Sequence, residues 1–247
     1  LYAEVDSATR DQTRANHSAT HLLHAALREV RGNHVQQKGS LVNADKLRFD
    51  FAHTGAIDAA DLKQIEQRVN GQIRFNSNVG TQLLNYDDAV QQGAVALFGE
   101  KYGDEVRVLT MGDGYSIELC GGTHVNRTGD IGFFKIVSET GIAAGIRRVE
   151  AVTGDAALSQ VYEDQVLLND LGESLKVGRR EVASKLEQLI AENRALTKQV
   201  EQMSQQLVAK KSSDLSTQVV DIAGISFLAA QVDGDNKAMM QTLDTVR

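Results

Sequence analysis

Apolar positions recur every three to four residues from Thr9 to Val30. Ala15, Ala19, Leu22, Leu23, Ala26, Leu27 and Val30 line up on one stripe when the chain is wound at the helical step. The spacing predicts a helix over 9–30, opened by a capping box of Thr9 with Gln12 and stopped by Gly32. His17, His21, His24, Thr13, Thr20 and Arg28 fall opposite the stripe, so the same pattern predicts a solvated face carrying the histidines. Residues 33–45 are polar and read as loop. Residues 47–51 alternate as a strand with Arg48 and Asp50 on its wet face. A second helix is predicted over 58–76, with Leu62, Ile65, Val69 and Ile73 inward and Lys63, Arg68 and Arg74 outward.

Residues 79–86 read as a strand, 87–93 as a short helix and 97–103 as a turn-rich connector. The stretches 106–111 and 115–119 form a hairpin pattern around Gly112-Asp113-Gly114. Period two puts Tyr115, Ile117 and Leu119 on one face and Ser116, Glu118 and Cys120 on the other. Two more strands are predicted over 131–138 and 145–152. Helices and strands do not alternate regularly, which favours an α+β fold with an antiparallel sheet and packed helices over a doubly wound one.

From Asp155 the β pattern stops, and Leu, Glu, Gln and Lys dominate to Lys211, with Gly178 dividing two helices. In the second, Val182, Leu186, Leu189, Asn193, Leu196, Val200, Met203 and Leu207 are spaced alternately four and three, a heptad seam with Asn193 at an a position. Its partner is either a second copy or the helix before Gly178. Residues 212–216 read as a linker, 219–222 and 226–232 as strands, and 236–246 as a helix. The predicted organisation is a domain over 1–153, a long helical, coiled-coil segment over 154–211, and a truncated α/β tail over 212–247 that begins a further domain.

Composition narrows the function classes. The 247 residues carry 26 basic and 33 acidic side chains, a net charge of −7, which argues against wholesale coating of nucleic acid but leaves room for a local basic groove. A single cysteine excludes an internal disulfide and points to a reducing cytoplasm. No apolar run approaches the ~20 residues of a membrane span. The chain opens on Leu rather than Met, so its start is expected to be a cut inside a longer protein. It has no Pro and no Trp, which nothing in the pattern explains.

The candidate chemistry is a metal site. His17 and His21, four apart on a helix, project from one face about one turn apart. Cys120-Gly121-Gly122-Thr123-His124 repeats that spacing, and the glycine pair allows a turn that brings His124 back beside Cys120. Each pair alone is a short pattern. Together they supply three imidazoles and a thiolate, a donor set suited to Zn2+. Four protein donors usually mark a closed site. Catalysis would therefore need one to yield or a fifth ligand to enter, and His124 is the candidate for the looser donor and proton shuttle. His24 is a candidate support for a ligand, while His34 and His53 read as surface histidines.

These motifs resemble the editing domain of alanyl-tRNA synthetases. The resemblance rests on Arg14-Ala15-Asn16-His17-Ser18-Ala19-Thr20-His21-Leu22-Leu23-His24 and Cys120-Gly121-Gly122-Thr123-His124. It continues in Arg127-Thr128-Gly129-Asp130-Ile131-Gly132 and Gly145-Ile146-Arg147-Arg148-Val149-Glu150-Ala151, and in the stretches 35–42 and 97–103. It implies hydrolysis of tRNA(Ala) wrongly charged with serine or glycine, with His17, His21, Cys120 and His124 as the catalytic zinc site. Thr20 and Gln37 would line the amino-acid pocket, and Arg147 would meet the tRNA acceptor end, with Lys38, Lys135 and Arg148 as further cations. The family's aminoacylation domain has no counterpart here, so alanine activation and ATP are not implied. A threonyl-type or free-standing editing domain shares both metal motifs. A different class of reading is a zinc-stabilised oligomerisation module without catalysis. On either reading a homodimer through the helical and C-terminal region is the expected assembly.

Overall fold

The first helix is covered on several sides, and this decides where its polar residues go. A computed structural model describes residues 2–96, 102–216, 219–229 and 240. Helix α1 (Ser7–Arg31) packs against α2 (Ala59–Phe75), against a four-stranded sheet and against β5 (Ser116–Leu119). That sheet has the order β1-β2-β7-β6 and is antiparallel throughout, built from β1 (Gln37–Val42), β2 (Leu47–Ala52), β6 (Phe134–Ala143) and β7 (Ile146–Thr153). A second antiparallel sheet has the order β3-β4-β5, with β3 (Gly80–Asn85) and β4 (Glu105–Met111). The short helix α3 (Tyr86–Gln91) links β3 towards β4.

The core follows from the stripes. Leu22, Leu23 and Leu27 of α1 are fully buried with Phe49 and Phe51 of β2, Val149 and Ala151 of β7, Leu109 and Met111 of β4, and Ile65 and Val69 of α2. Burying each such large side chain stabilises the fold by about 1.5–3 kcal/mol. The opposite face of the second sheet has its own small core of Ala89, Ala94, Val106, Val108 and Leu119.

Several expectations change. The opening cap of α1 is Asp6, whose carboxylate accepts from the Thr9 N–H, rather than a box formed by Thr9 and Gln12. The face of α1 opposite the stripe is not wet: Thr20, His21 and His24 are buried at 4%, 5% and 2% exposure, and Glu118 of β5 bonds both histidines. Residues 37–42, expected as loop, form β1. It is an edge strand with no fully buried side chain, and its sequence lacks the apolar alternation that would reveal it. Asp50 is buried rather than solvated, gripped by Arg148 at 2.7 and 2.8 Å.

The chain divides into two compact units, Leu1–Val166 and Leu167–Arg247. Helix α4 (Gly154–Leu175) begins in the first and ends in the second. In the second unit, α5 (Val182–Ser216) starts after the break at Gly178 and continues through the serines at 212, 213 and 216, where a linker was expected. Serine is only a modest helix breaker, so its presence does not end a helix already propagating. Along α5 the heptad positions Leu186, Leu196, Val200, Met203 and Leu207 are exposed. A hairpin of β8 (Val220–Ile222) and β9 (Ile225–Phe227) follows. The expected helix over 236–246, the strand end at 230–232 and residues 97–101 of the connector lie outside the described residues. No helix among the described residues is long and apolar enough to cross a membrane.

Candidate metal centre

Helix α1 and the turn after β5 converge through side chains 100 residues apart in the chain. Cys120 leaves β5 with its N–H donating to the Arg107 carbonyl at 3.0 Å, so the strand pairing itself fixes where the thiol begins. At the turn, a Cβ on Gly122 would lie 2.3 Å from Cε1 of His17, so only glycine lets that imidazole rest against the loop. One ligand atom from each of His17, His21, Cys120 and His124 then lies within 4.8 Å of the others. The Cys120 Sγ stands 3.6 Å from His17 Nε2 and 3.3 Å from His124 Nε2. Tetrahedral zinc with ordinary bond lengths separates sulfur and nitrogen donors by about 3.5 Å, so the donor spacing fits that ion.

The hydrogen-bond partners settle the tautomers. Ser18 donates its hydroxyl proton to the Arg14 carbonyl at 2.8 Å and accepts from the Val125 N–H at 3.1 Å. It must therefore accept from Nδ1 of His124 at 3.2 Å, which leaves the Nε2 lone pair facing the thiol. The Nδ1 of His17 donates to the Thr123 carbonyl at 3.3 Å. The Nδ1 of His21 donates to Oε2 of Glu118 at 2.7 Å, and its Nε2 is buried without a hydrogen-bond partner. All three rings thus turn Nε2 inward, and one buried nitrogen is left for an ion to satisfy.

The electrostatics agree with a cation site. Burial pushes the Cys120 thiol up, but the neighbouring imidazoles of His124, His17 and His21 outweigh it and hold the group at about 3. Burial likewise opposes ionised Glu118, yet His21 and His24 hold it at about 2. Burial disfavours charge on His21, but Glu118 and Cys120 raise it to about 10. The site therefore carries a thiolate and a carboxylate against one imidazolium, a surplus of negative charge that a divalent ion would offset. His124 is lowered, by burial first, against the raising effect of its contact with Cys120.

The other candidates have hydrogen-bond partners of their own. Thr20 is buried on α1, its hydroxyl donating to the Asn16 carbonyl at 2.9 Å. Gln37 opens β1, and the register sets both it and Arg147 opposite Phe51, so the two share the face of the sheet that carries the core. Arg147 is bound by Glu139 through two hydrogen bonds of 2.6 Å. Lys135 is bound by Glu66 and Arg148 by Asp50. None of Thr20, Gln37 and Arg147 hydrogen-bonds to the four clustered residues. His53, expected at the surface, is buried at 7% exposure between Nε2 of His34 at 2.9 Å and Nη2 of Arg31 at 3.1 Å. Burial, then Arg31 and His34, lower its pKa. Sequence reasoning passed over Ser18 and Glu118 as parts of the site. The strand alternation that sets Glu118 on the face of Cys120 was the available signal.

The comparisons with known proteins point to one family. The family model described as the threonyl and alanyl tRNA synthetase second additional domain matches residues 106–150, which include Cys120 and His124. The alanine–tRNA ligase of Nitrosococcus oceani is 54% identical over 100% of this chain, that of Saccharophagus degradans 53% over 98%, and that of Halorhodospira halophila 52% over 99%. The chain spans about 28% of the length of each of these relatives. Matched from end to end at this identity, the chain belongs to the alanine–tRNA ligase family.

Proposed function

We propose that residues 1–153 form a zinc-dependent aminoacyl-tRNA deacylase that hydrolyses Ser-tRNA(Ala) and Gly-tRNA(Ala). The following segments, 154–211 and 212–247, belong to the assembly that presents it. The observation that carries the reading is the convergence of His17, His21, Cys120 and His124 with every imidazole turned Nε2-inward. Zinc held there would supply Lewis-acid polarisation at an ester that is already activated. The protein supplies orientation of the ester and of the attacking water. His124, tied through Ser18, is the donor that would yield as substrate enters.

Selection against alanine asks for polar groups that pair with the serine hydroxyl and are left unpaired by a methyl group. The hydroxyl of Thr20 and the amide of Gln37 are suited to that role, and glycine would enter by size alone. Arg147 would reach a phosphate or the terminal ribose of the acceptor end by sharing its guanidinium with Glu139. A lone thiol ligand suits a reducing cytoplasm. The exposed heptad seam of α5 favours pairing with a second copy, and so keeps alive the reading of a zinc-stabilised oligomerisation module.

Deacylation of Ser-tRNA(Ala), measured together with zinc content, tests the reading. The protein is expected to hold about one zinc per chain and to cleave Ser-tRNA(Ala) faster than Ala-tRNA(Ala), and Cys120→Ala to lose both zinc and cleavage. If the protein holds zinc, cleaves nothing, and His17→Ala only lowers the melting temperature, the structural module is the correct reading.

A further inference from the structure

We infer that Glu118 is a positioning residue for the metal centre. Its buried carboxylate sets the imidazole of His21 with Nε2 toward Cys120, and His24 and Ser116 hold that carboxylate in place. The inference rests on the metal reading above.

Three observations carry it. First, Glu118 is 3% exposed on β5, two residues before Cys120 and on the same face. Burying a carboxylate costs several kcal/mol unless hydrogen bonds compensate, and an apolar residue would pack there with no such requirement. Second, its oxygens are divided. Oε2 accepts from Nδ1 of His21 at 2.7 Å, while Oε1 accepts from Nδ1 of His24 at 3.0 Å and from the Ser116 hydroxyl at 3.4 Å. His21 and His24 lie one turn apart on α1 and straddle the carboxylate. Third, the three inward-facing imidazoles are anchored unequally. His17 leans on a carbonyl at 3.3 Å and His124 on a hydroxyl at 3.2 Å, whereas His21 is held by a carboxylate at the shortest distance of the three.

A neutral imidazole has two tautomers, and it can also swing about its Cβ–Cγ bond. In the neutral ring that would bind the ion, an acceptor fixed at Nδ1 keeps the remaining proton there, so Nε2 presents its lone pair, and it stops the swing. A carboxylate in that place also raises the basicity of the opposite nitrogen. His24 has a place in this arrangement although it is outside the donor cluster. Its Nε2 has no hydrogen-bond partner, and Nδ1 is its working atom.

The test is the zinc dissociation constant of the full chain, measured by competition with a chromophoric chelator, for wild type, Glu118→Gln and His24→Leu. The amide in Glu118→Gln keeps the shape but cannot accept from both histidines, and weakening by about 10–100-fold is expected. A purely structural Glu118 would lower the melting temperature and leave the zinc affinity of the folded protein within about twofold, which overturns the inference. If Glu118→Gln does not fold, His24→Leu decides, since it leaves all four donors and Glu118 in place. Weakening of about threefold or more supports the inference, and an unchanged constant overturns it. A wild type that binds no zinc refutes the metal reading itself, an outcome distinct from either variant's result.

Discussion

At the scale of single residues, the centre depends on small margins. Gly122 is the clearest case, since a Cβ there would meet the ring of His17 at 2.3 Å. Gly122→Ala is expected to cut zinc content from about one per chain to a small fraction, as metal analysis would register, while the helical circular dichroism of the chain stays as it is. Protons give a second handle. In the zinc-free protein His21 stays protonated up to about 10 and Cys120 is already a thiolate above about 3. Zinc binding near pH 7.5 is therefore expected to release about one proton, from His21, and none from the cysteine, so apparent affinity should rise with pH towards about 10. Calorimetry in buffers of different ionisation enthalpy counts that proton, and release of about two would mean the thiol is protonated. The same raised pKa stabilises the zinc-free fold fully below the ordinary histidine value, and that contribution is lost as pH rises through about 10.

At the scale of elements, polar side chains act as joints. Asn70 of α2 donates to the Phe134 carbonyl at 2.8 Å and accepts from the Phe134 N–H at 3.0 Å, so a helix completes the backbone pairing where β6 begins. Asn70→Leu fills a similar volume but leaves both buried backbone groups unpaired. It should destabilise the first unit by about 2–4 kcal/mol, measured by denaturant titration, with little change in zinc affinity. Asn16 does the same for α1: its amide donates to the carbonyls of Asn43 and Ala44, and its oxygen accepts from Thr153. The helix that carries His17 is thereby tied to the β1–β2 turn and to the end of β7.

At the scale of the whole molecule, the two units present different surfaces. The first encloses its apolar stripes. The second leaves the seam of α5 open, with Leu196, Val200 and Met203 at 59%, 63% and 64% exposure. Apolar side chains in a heptad row are expected to find a partner, and Asn193 at an a position would set its register. Sedimentation is expected to give a dimer at tens of micromolar. Leu196→Glu should return the protein to a monomer without altering its zinc content, and a wild-type monomer at that concentration removes the idea.

Periodicity alone determined the limits of α1 and α2 to within a few residues, the β4–β5 hairpin, the break near Gly178 and the heptad row. Each of these is set by local spacing of apolar side chains and by turn residues. It also set Glu118 and Cys120 on one strand face and His17 and His21 on one helix face. What only the tertiary structure decided is that those two faces meet. A pattern of polar residues looks the same whether it borders water or a second polar face, because both satisfy its hydrogen bonds. Hence the histidine face of α1 and the carboxylate of Asp50 read as wet although each is buried against a partner distant in the chain. The edge strand β1 was hidden for the converse reason: its ladder hydrogen bonds come from β2 on one side only, and none of its side chains is fully buried, so no apolar alternation marks it.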